Sequence, residues 1–170
     1  MAEEIERKFL VAQLPPELED APATRIDQGY VAIHADGTEV RVRRRDANAT
    51  LTVKGPSRDS GLARVEVELQ LDAGAFAQLW PLTEGRRVEK TRHLLPVEAE
   101  DLRIELDVYA GALEGLMVAE VEFAGAAAAR AFRGPAWLGP EVTADDRYKN
   151  QRLALDGRPA PVREVPPPSG

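Results

Sequence analysis

Two glutamates, Glu4 and Glu6, open a series of like-charged pairs that runs the length of the chain. The acids continue as Glu66 and Glu68, Glu105 and Asp107, and Glu120 and Glu122. The bases come as Arg41 and Arg43 and as Lys90 and Arg92, with Lys8 and Lys54 single and Arg45, Arg64 and Arg103 as further candidates. Carboxylates in this number can hold one or two hard divalent cations, which take oxygen ligands. Arginine forks and lysine point charges match phosphate oxygens. A site that needs both kinds suits a substrate that brings its own negative charge and a metal, and that combination is a polyphosphate.

Every pair has i, i+2 spacing, the repeat of one face of a β-strand, with its members roughly 7 Å apart. The residues between them are apolar: Val65, Val67, Leu69 and Leu71 alternate with Glu66, Glu68 and Gln70, and Ile104, Leu106 and Val108 with Glu105 and Asp107. The alternation predicts strands over 4–11, 28–33, 38–45, 49–54, 62–71, 86–95, 102–109 and 116–123. The period changes at 73–83, where Ala75, Phe76, Leu79 and Trp80 sit at helical spacing, and helices are also expected over 124–133 and 143–155. One sheet with a solvated polar face accounts for any single strand. Segregation of sign strand by strand fits better with a closed antiparallel barrel, a mainly-β α+β fold, whose interior is polar and whose apolar exterior is covered by the helices at 73–83 and 124–133. The expected organisation is one domain over 1–155 and a disordered Pro-rich tail over 156–170.

Bulk composition narrows the partners. The chain has 170 residues, 44% hydrophobic and 30% charged, as in an ordinary globular domain. Its net charge of −7 argues against general affinity for nucleic acid or anionic membrane. Cysteine is absent, which removes thiolate metal sites and cysteine nucleophiles. No leader or membrane span is expected, so the predicted compartment is the cytoplasm. His34 and His93 lack metal-pair spacing, Ser57 and Ser60 have no nucleophile context, and the glycine-rich stretch 55–61 holds no P-loop. Trp80 and Trp137 read as packing residues, and 5% aromatics is too few for a stacking surface.

The segment EIERK at 4–8 resembles the ExExK signature of the CYTH superfamily, the triphosphate tunnel metalloenzymes. The resemblance continues in order, with Arg41 and Arg43 as Arg-x-Arg, Lys54 as a single basic residue, Glu66 and Glu68, Lys90 and Arg92 as Lys-x-Arg, Glu105 and Asp107, and Glu120 and Glu122. It covers roughly residues 3–153, and the wording EIERKFLV, QGY, EGRRVEKTR, ELDV and DRYKN is similar to that of short bacterial members, several of which hydrolyse inorganic tripolyphosphate.

What the resemblance implies is a tunnel of about eight antiparallel strands, closed so that no sheet edge remains. It implies a Mg²⁺- or Mn²⁺-dependent triphosphatase with Glu4, Glu6, Glu120 and Glu122 as metal ligands and Asp107 as a further one. Lys8, Arg41, Arg43, Lys54, Lys90 and Arg92 would grip the phosphates. Tyr30, in the QGY context, would accept the catalytic proton; an ordinary tyrosine is a poor base near neutral pH, so positioning a water or phosphate is an equal reading. Glu66 or Glu68 could take that proton instead, or hold the cations in place. Lys149 or Arg147, on the C-terminal helix, would close one tunnel end, or else that helix is simply exposed and amphipathic. The expected substrate is tripolyphosphate. The alternatives are thiamine triphosphate, a nucleoside triphosphate, cyclisation of ATP, or a polyphosphate-binding module without turnover. A homodimer is compatible with a chain of this size.

Overall fold

The computed structural model describes residues 5–56, 65–97 and 102–160. Glu4, Arg64 and most of the expected Pro-rich tail therefore lie outside the described residues. Nine strands follow the alternating segments: β1 (Ile5–Val11), β2 (Ala23–Ile33), β3 (Glu39–Arg45), β4 (Asn48–Lys54), β5 (Glu66–Leu71), β6 (Arg87–Pro96), β7 (Arg103–Ala110), β8 (Met117–Phe123) and β9 (Leu138–Glu141). They form one antiparallel sheet in the order β5-β4-β3-β2-β6-β7-β8-β1-β9. Among the described residues the α-helices are α1 (Ala73–Leu79), α2 (Ala126–Ala131) and α3 (Asn150–Asp156). No helix among the described residues is long and apolar enough to cross a membrane.

Local chemistry sets the turns. Between β3 and β4, Asp46 takes a left-handed φ of 50°, a conformation that aspartate tolerates better than most residues. Its carboxylate accepts the backbone N–H of Arg25 at 3.0 Å, which ties this turn to β2. The period change at 73 is marked by Asp72, whose side chain accepts the N–H of Ala75 at 2.7 Å and caps α1. Pro81 then converts the expected single helix into α1 followed by a 3₁₀ turn at Trp80–Thr83.

That turn packs on β2 at Gly29. A Cβ there would lie 2.4 Å from Thr83 Oγ1, and Thr83 is held by donating to Trp80 O at 2.7 Å and accepting from Arg87 Nε at 2.9 Å. Gly29→Ala is therefore expected to cost about 1–3 kcal/mol through overpacking, read as a lowered Tm in thermal unfolding. An unchanged Tm would show that Thr83 can yield.

The apolar face of the sheet is covered by the two helices expected to cover it. Ala129 of α2 and Phe132 pack on Phe9, Ile104, Leu106, Ala119, Val121 and Phe123. Phe76 of α1 covers Val42 and Ala49, with Leu51, Leu71 and Trp80 at the margin. The cover stops short of β5, where Val67 and Leu69 are 49% and 54% exposed, because a seven-residue helix reaches only the end of that strand.

Three segments differ from expectation. β2 begins at Ala23, five residues before the predicted strand, and it buries Ile26, Asp27 and Gln28. β9 was not anticipated: LGPE shows no alternation, and it pairs with β1 at the sheet edge, where proline is tolerated. The close approach of the two strands requires Gly139, since a Cβ there would meet Leu10 O at 2.7 Å. The expected helix over 143–155 is a 3₁₀ turn at Asp146–Tyr148 followed by α3, and it packs on the opposite face from α1 and α2. Tyr148, Leu153 and Ala154 are buried there with Tyr30, Val88, Tyr109 and Val118.

Candidate active site

Register gathers the charged residues, because directly opposed residues in an antiparallel pair share a face. Glu6 opposes Glu122 and Lys8 opposes Glu120 across β1 and β8. Glu120 opposes Glu105 across β8 and β7, and Asp107 opposes Arg92 across β7 and β6. Lys90 opposes Ile26 across β6 and β2, while Gln28 and Tyr30 oppose Arg43 and Arg41 across β2 and β3. Arg41 continues to Thr52 and Glu68, and Glu66 opposes Lys54. Every described member of the charged pairs thus lies on one face of one sheet.

Asp107 is the hub of that face and is fully buried. Its carboxylate accepts from Lys90 Nζ at 2.5 Å and from Arg92 Nε and Nη2 at 2.7 and 2.8 Å. Arg92 also donates to Glu105 and, at 3.1 Å, to Glu120. The second oxygen of Glu120 lies 3.0 Å from Lys8 Nζ, which is 3.6 Å from Glu6. On the basic side, Arg43 Nε donates to Gln28 Oε1 at 2.8 Å, and Gln28 Nε2 donates to the Tyr30 hydroxyl at 3.0 Å. The buried Nε of Arg41 has no partner among the described residues. An orphaned donor of this kind costs about 1–3 kcal/mol until an acceptor reaches it, and an anionic ligand is such an acceptor.

Two hollows open on the same face. One, of about 340 Å³, is lined by the carboxylates of Glu6, Glu105, Glu120 and Glu122 with Leu94, Leu102 and Arg103. The other, of about 180 Å³, is lined by Arg43, Arg45, Lys90 and Arg92 with Ile26, Gln28, Asn150 and Glu120. Glu120 borders both. The chain matches the model of the CYTH domain over residues 2–133.

This chain belongs to the CYTH domain family. An inorganic triphosphatase of Nitrosomonas europaea is 49% identical to it over 153 residues, which cover 89% of this chain and 97% of that protein. An inorganic triphosphatase of Acetivibrio thermocellus is 36% identical over 90% of this chain and 94% of its own length. The crystal structure of an inorganic triphosphatase superposes with a TM-score of 0.77 at 44% identity, covering 91% of this chain and 96% of that one. CYTH triphosphatases are generally metal-dependent.

The electrostatics of the CYTH face divide along the two hollows. Burial pushes the Glu105 carboxyl above its ordinary range, and although Arg92 opposes this, Glu120, Asp107 and Glu122 add to it. The acid hollow is lined by four carboxylates and one arginine, and its hard oxygen donors fit a divalent cation such as Mg²⁺ or Mn²⁺. Among the described residues no three acidic or histidine side chains are already drawn together as an ion site. Arg92 and Lys8 hold the carboxylates of Glu105 and Glu120 instead. In the basic hollow, burial and the neighbouring Arg41 and Arg45 lower Arg43 to about 10. Burial also lowers Lys90 against the pull of Asp107. Arg92 is raised, because its bonds to Asp107 and the nearby Glu120 and Glu105 outweigh its burial.

The structure brings together Glu6, Lys8, Arg43, Lys90, Arg92, Asp107, Glu120 and Glu122 around the hub and its two hollows. Tyr30 lies at the edge of this group, buried, with its phenol raised chiefly by that burial. Glu66 and Glu68 are occupied on the far strands, by Lys54 at 3.3 Å and by the Thr52 hydroxyl at 3.1 Å. Lys149 points away and pairs with Asp146 at 2.7 Å, both exposed, and Arg147 pairs with Asp145. Sequence reasoning passed over Gln28 and Asn150. Gln28 had a signal, since it precedes Tyr30 by two residues on the same face of β2. Asn150 stands at the end of the family-like wording DRYKN, but no role attached to it, because a helix docked on the polar face leaves no periodic mark.

Proposed function

We propose that this CYTH protein is an inorganic triphosphatase that hydrolyses tripolyphosphate to pyrophosphate and phosphate. The observation that carries the reading is the acid hollow adjoining the arginine- and lysine-lined one through a shared Glu120. The two relatives, named as inorganic triphosphatases over nearly their whole length, support it. The reading includes closure of the sheet into a tunnel around the charged face.

In this reading Glu6, Glu120 and Glu122, with Glu4, hold the metal, and Glu105 joins them because it lines the same hollow. When bound, Mg²⁺ or Mn²⁺ supplies positive charge against the phosphate oxygens. Asp107 has a different task, since it is fully buried and lies outside the acid hollow: it holds Lys90 and Arg92 at fixed positions beneath the substrate. Arg41, Arg43, Lys90 and Arg92 grip the phosphoryl oxygens, Lys54 extends that grip along the face, and Lys8 reaches in from the acid side. A water oxygen bonds to the terminal phosphorus as the bridging P–O bond breaks, and the charge that gathers on the leaving pyrophosphate meets cations already in place. The proton of the water goes to a carboxylate, and on closure Glu66 and Glu68 of β5 are the candidates. Tyr30 serves as a positioning hydroxyl: Gln28 donates to its oxygen, which leaves the phenol proton to point at a phosphate or water oxygen.

The test is phosphate release from tripolyphosphate, ATP and thiamine triphosphate with Mg²⁺, Mn²⁺ or EDTA. The expected result is metal-dependent release from tripolyphosphate well above the other two. Release mainly from an organic triphosphate would replace the substrate, and no release from any of them would sink the hydrolase reading.

A further inference from the structure

Resting on that triphosphatase reading, we propose that Asn150, delivered by α3, is a substrate-binding residue whose side-chain amide donates a hydrogen bond to a phosphoryl oxygen in the basic hollow. α3 is anchored through Leu153 and Ala154, buried against Tyr30, Val88, Tyr109 and Val118 at one end of the charged face. A second tie, Gln151 Nε2 donating to Glu39 Oε2 at 2.7 Å, fastens the same turn to β3. Tyr148, buried in the same cluster, holds the chain on the other side of Asn150, and the Asn150 side chain lines the hollow together with Arg43, Lys90 and Arg92.

The orientation of the amide follows from its neighbours. Asn150 Oδ1 lies 3.5 Å from Lys90 Nζ and 3.5 Å from the Tyr109 hydroxyl. A lysine ammonium can only donate, so the atom that faces it has to be the amide oxygen. The Nδ2 group then faces elsewhere, and among the described residues it donates to no protein acceptor. An uncommitted N–H₂ donor in a hollow walled by three arginines and a lysine is matched to an anion's oxygen. It adds a directional contact without adding like-charge repulsion to a site where Arg41 and Arg45 already press on Arg43.

The experiment compares steady-state kcat and KM for tripolyphosphate with Mg²⁺ in the wild-type protein and in Asn150→Ala, Asn150→Asp and Arg152→Ala, with Tm measured for each. Arg152 lies on the same helix but is exposed and pairs with Asp156, so it reports on the helix surface alone. Losing a hydrogen bond to a charged group is expected to raise KM about tenfold to a hundredfold in Asn150→Ala. Asn150→Asp should raise it further, because it keeps the acceptor for Lys90 but replaces the donor with a negative charge. Arg152→Ala should match wild type, with Tm for both Asn150 variants within a few degrees. A KM in Asn150→Asp within twofold of wild type overturns the assignment, as does an Asn150→Ala loss that simply follows a fall in Tm. A wild-type protein that turns over no tripolyphosphate overturns the triphosphatase reading itself, and this is seen before any variant is compared.

Discussion

Asp107→Ala is expected to destabilise the protein by about 3–5 kcal/mol, the range for removing one partner of a buried ion pair. Two cations depend on this one carboxylate, and neither can regain water: Lys90 is 3% exposed and Asp107 is wholly enclosed. Arg92 would keep Glu105 and Glu120, but Lys90 would keep no paired anion among the described residues, only the long contact to Asn150 and its place over the Tyr109 ring. For a chain of this length the loss corresponds to a fall in Tm on the order of 10 °C. Adding Lys90→Met to Asp107→Ala should recover part of it by removing the stranded charge, and a double variant no more stable than the single one would show that the cost is not electrostatic. The pH dependence has a definite sign. Burial alone would raise the Asp107 carboxyl, but Arg92 and Lys90 outweigh it and hold the group below its ordinary range. A carboxyl depressed in the folded state contributes stability that is present above its unfolded pKa. That contribution is lost as pH falls through the lower folded value. The stability difference between wild type and Asp107→Ala should therefore persist through mildly acidic pH and close only below the usual carboxylate range.

The largest effect on activity is expected from Glu120→Gln. Among the described residues Glu120 alone borders both hollows, and it engages Lys8 and Arg92 with its two oxygens. The substitution keeps size and hydrogen-bonding reach while removing the charge, so kcat/KM for tripolyphosphate should fall about 10²- to 10³-fold, as when one preorganised transition-state contact is lost. Stability should change by only about 1–2 kcal/mol, because the side chain is partly accessible and the amide oxygen still accepts. The Mg²⁺ concentration for half-maximal rate should also rise, since the acid hollow loses one of its four charges. Full activity in this variant would remove Glu120 from the machinery, and loss of activity with an unmoved Mg²⁺ midpoint would limit it to holding Lys8 and Arg92.

Much of the face was legible because alternation is a covalent property of extended chain. Once a segment is a strand, Glu105 and Asp107 must share a side, and Leu106 must take the other. What alternation cannot provide is depth. Glu105 and Asp107 carry the same signal, and the family resemblance offers Asp107 as a further metal-ligand candidate. In the fold Asp107 sits at the bottom with Lys90 and Arg92 locked onto it, while Glu105 stands in the open acid hollow. Glu66 and Glu68 show the complementary problem. Their pattern equals that of Glu120 and Glu122, but β5 and β8 are separated by β4, β3, β2, β6 and β7 in the sheet order.

The C-terminal region marks the limit most clearly. Its helix was expected to offer Lys149 or Arg147, whereas the turn at Asp146–Tyr148 rotates both of those into surface pairs and presents Asn150 instead. By itself the sequence determined eight of the nine strands, the sign of charge each one carries and which residues within a strand share a face, because these follow from a two-residue repeat written into neighbouring positions. Only the tertiary structure decided which charges meet, which of them sink into the hub and which helix end enters the hollow, because those outcomes depend on strand order and on contacts between residues more than a hundred positions apart, such as Gln151 with Glu39.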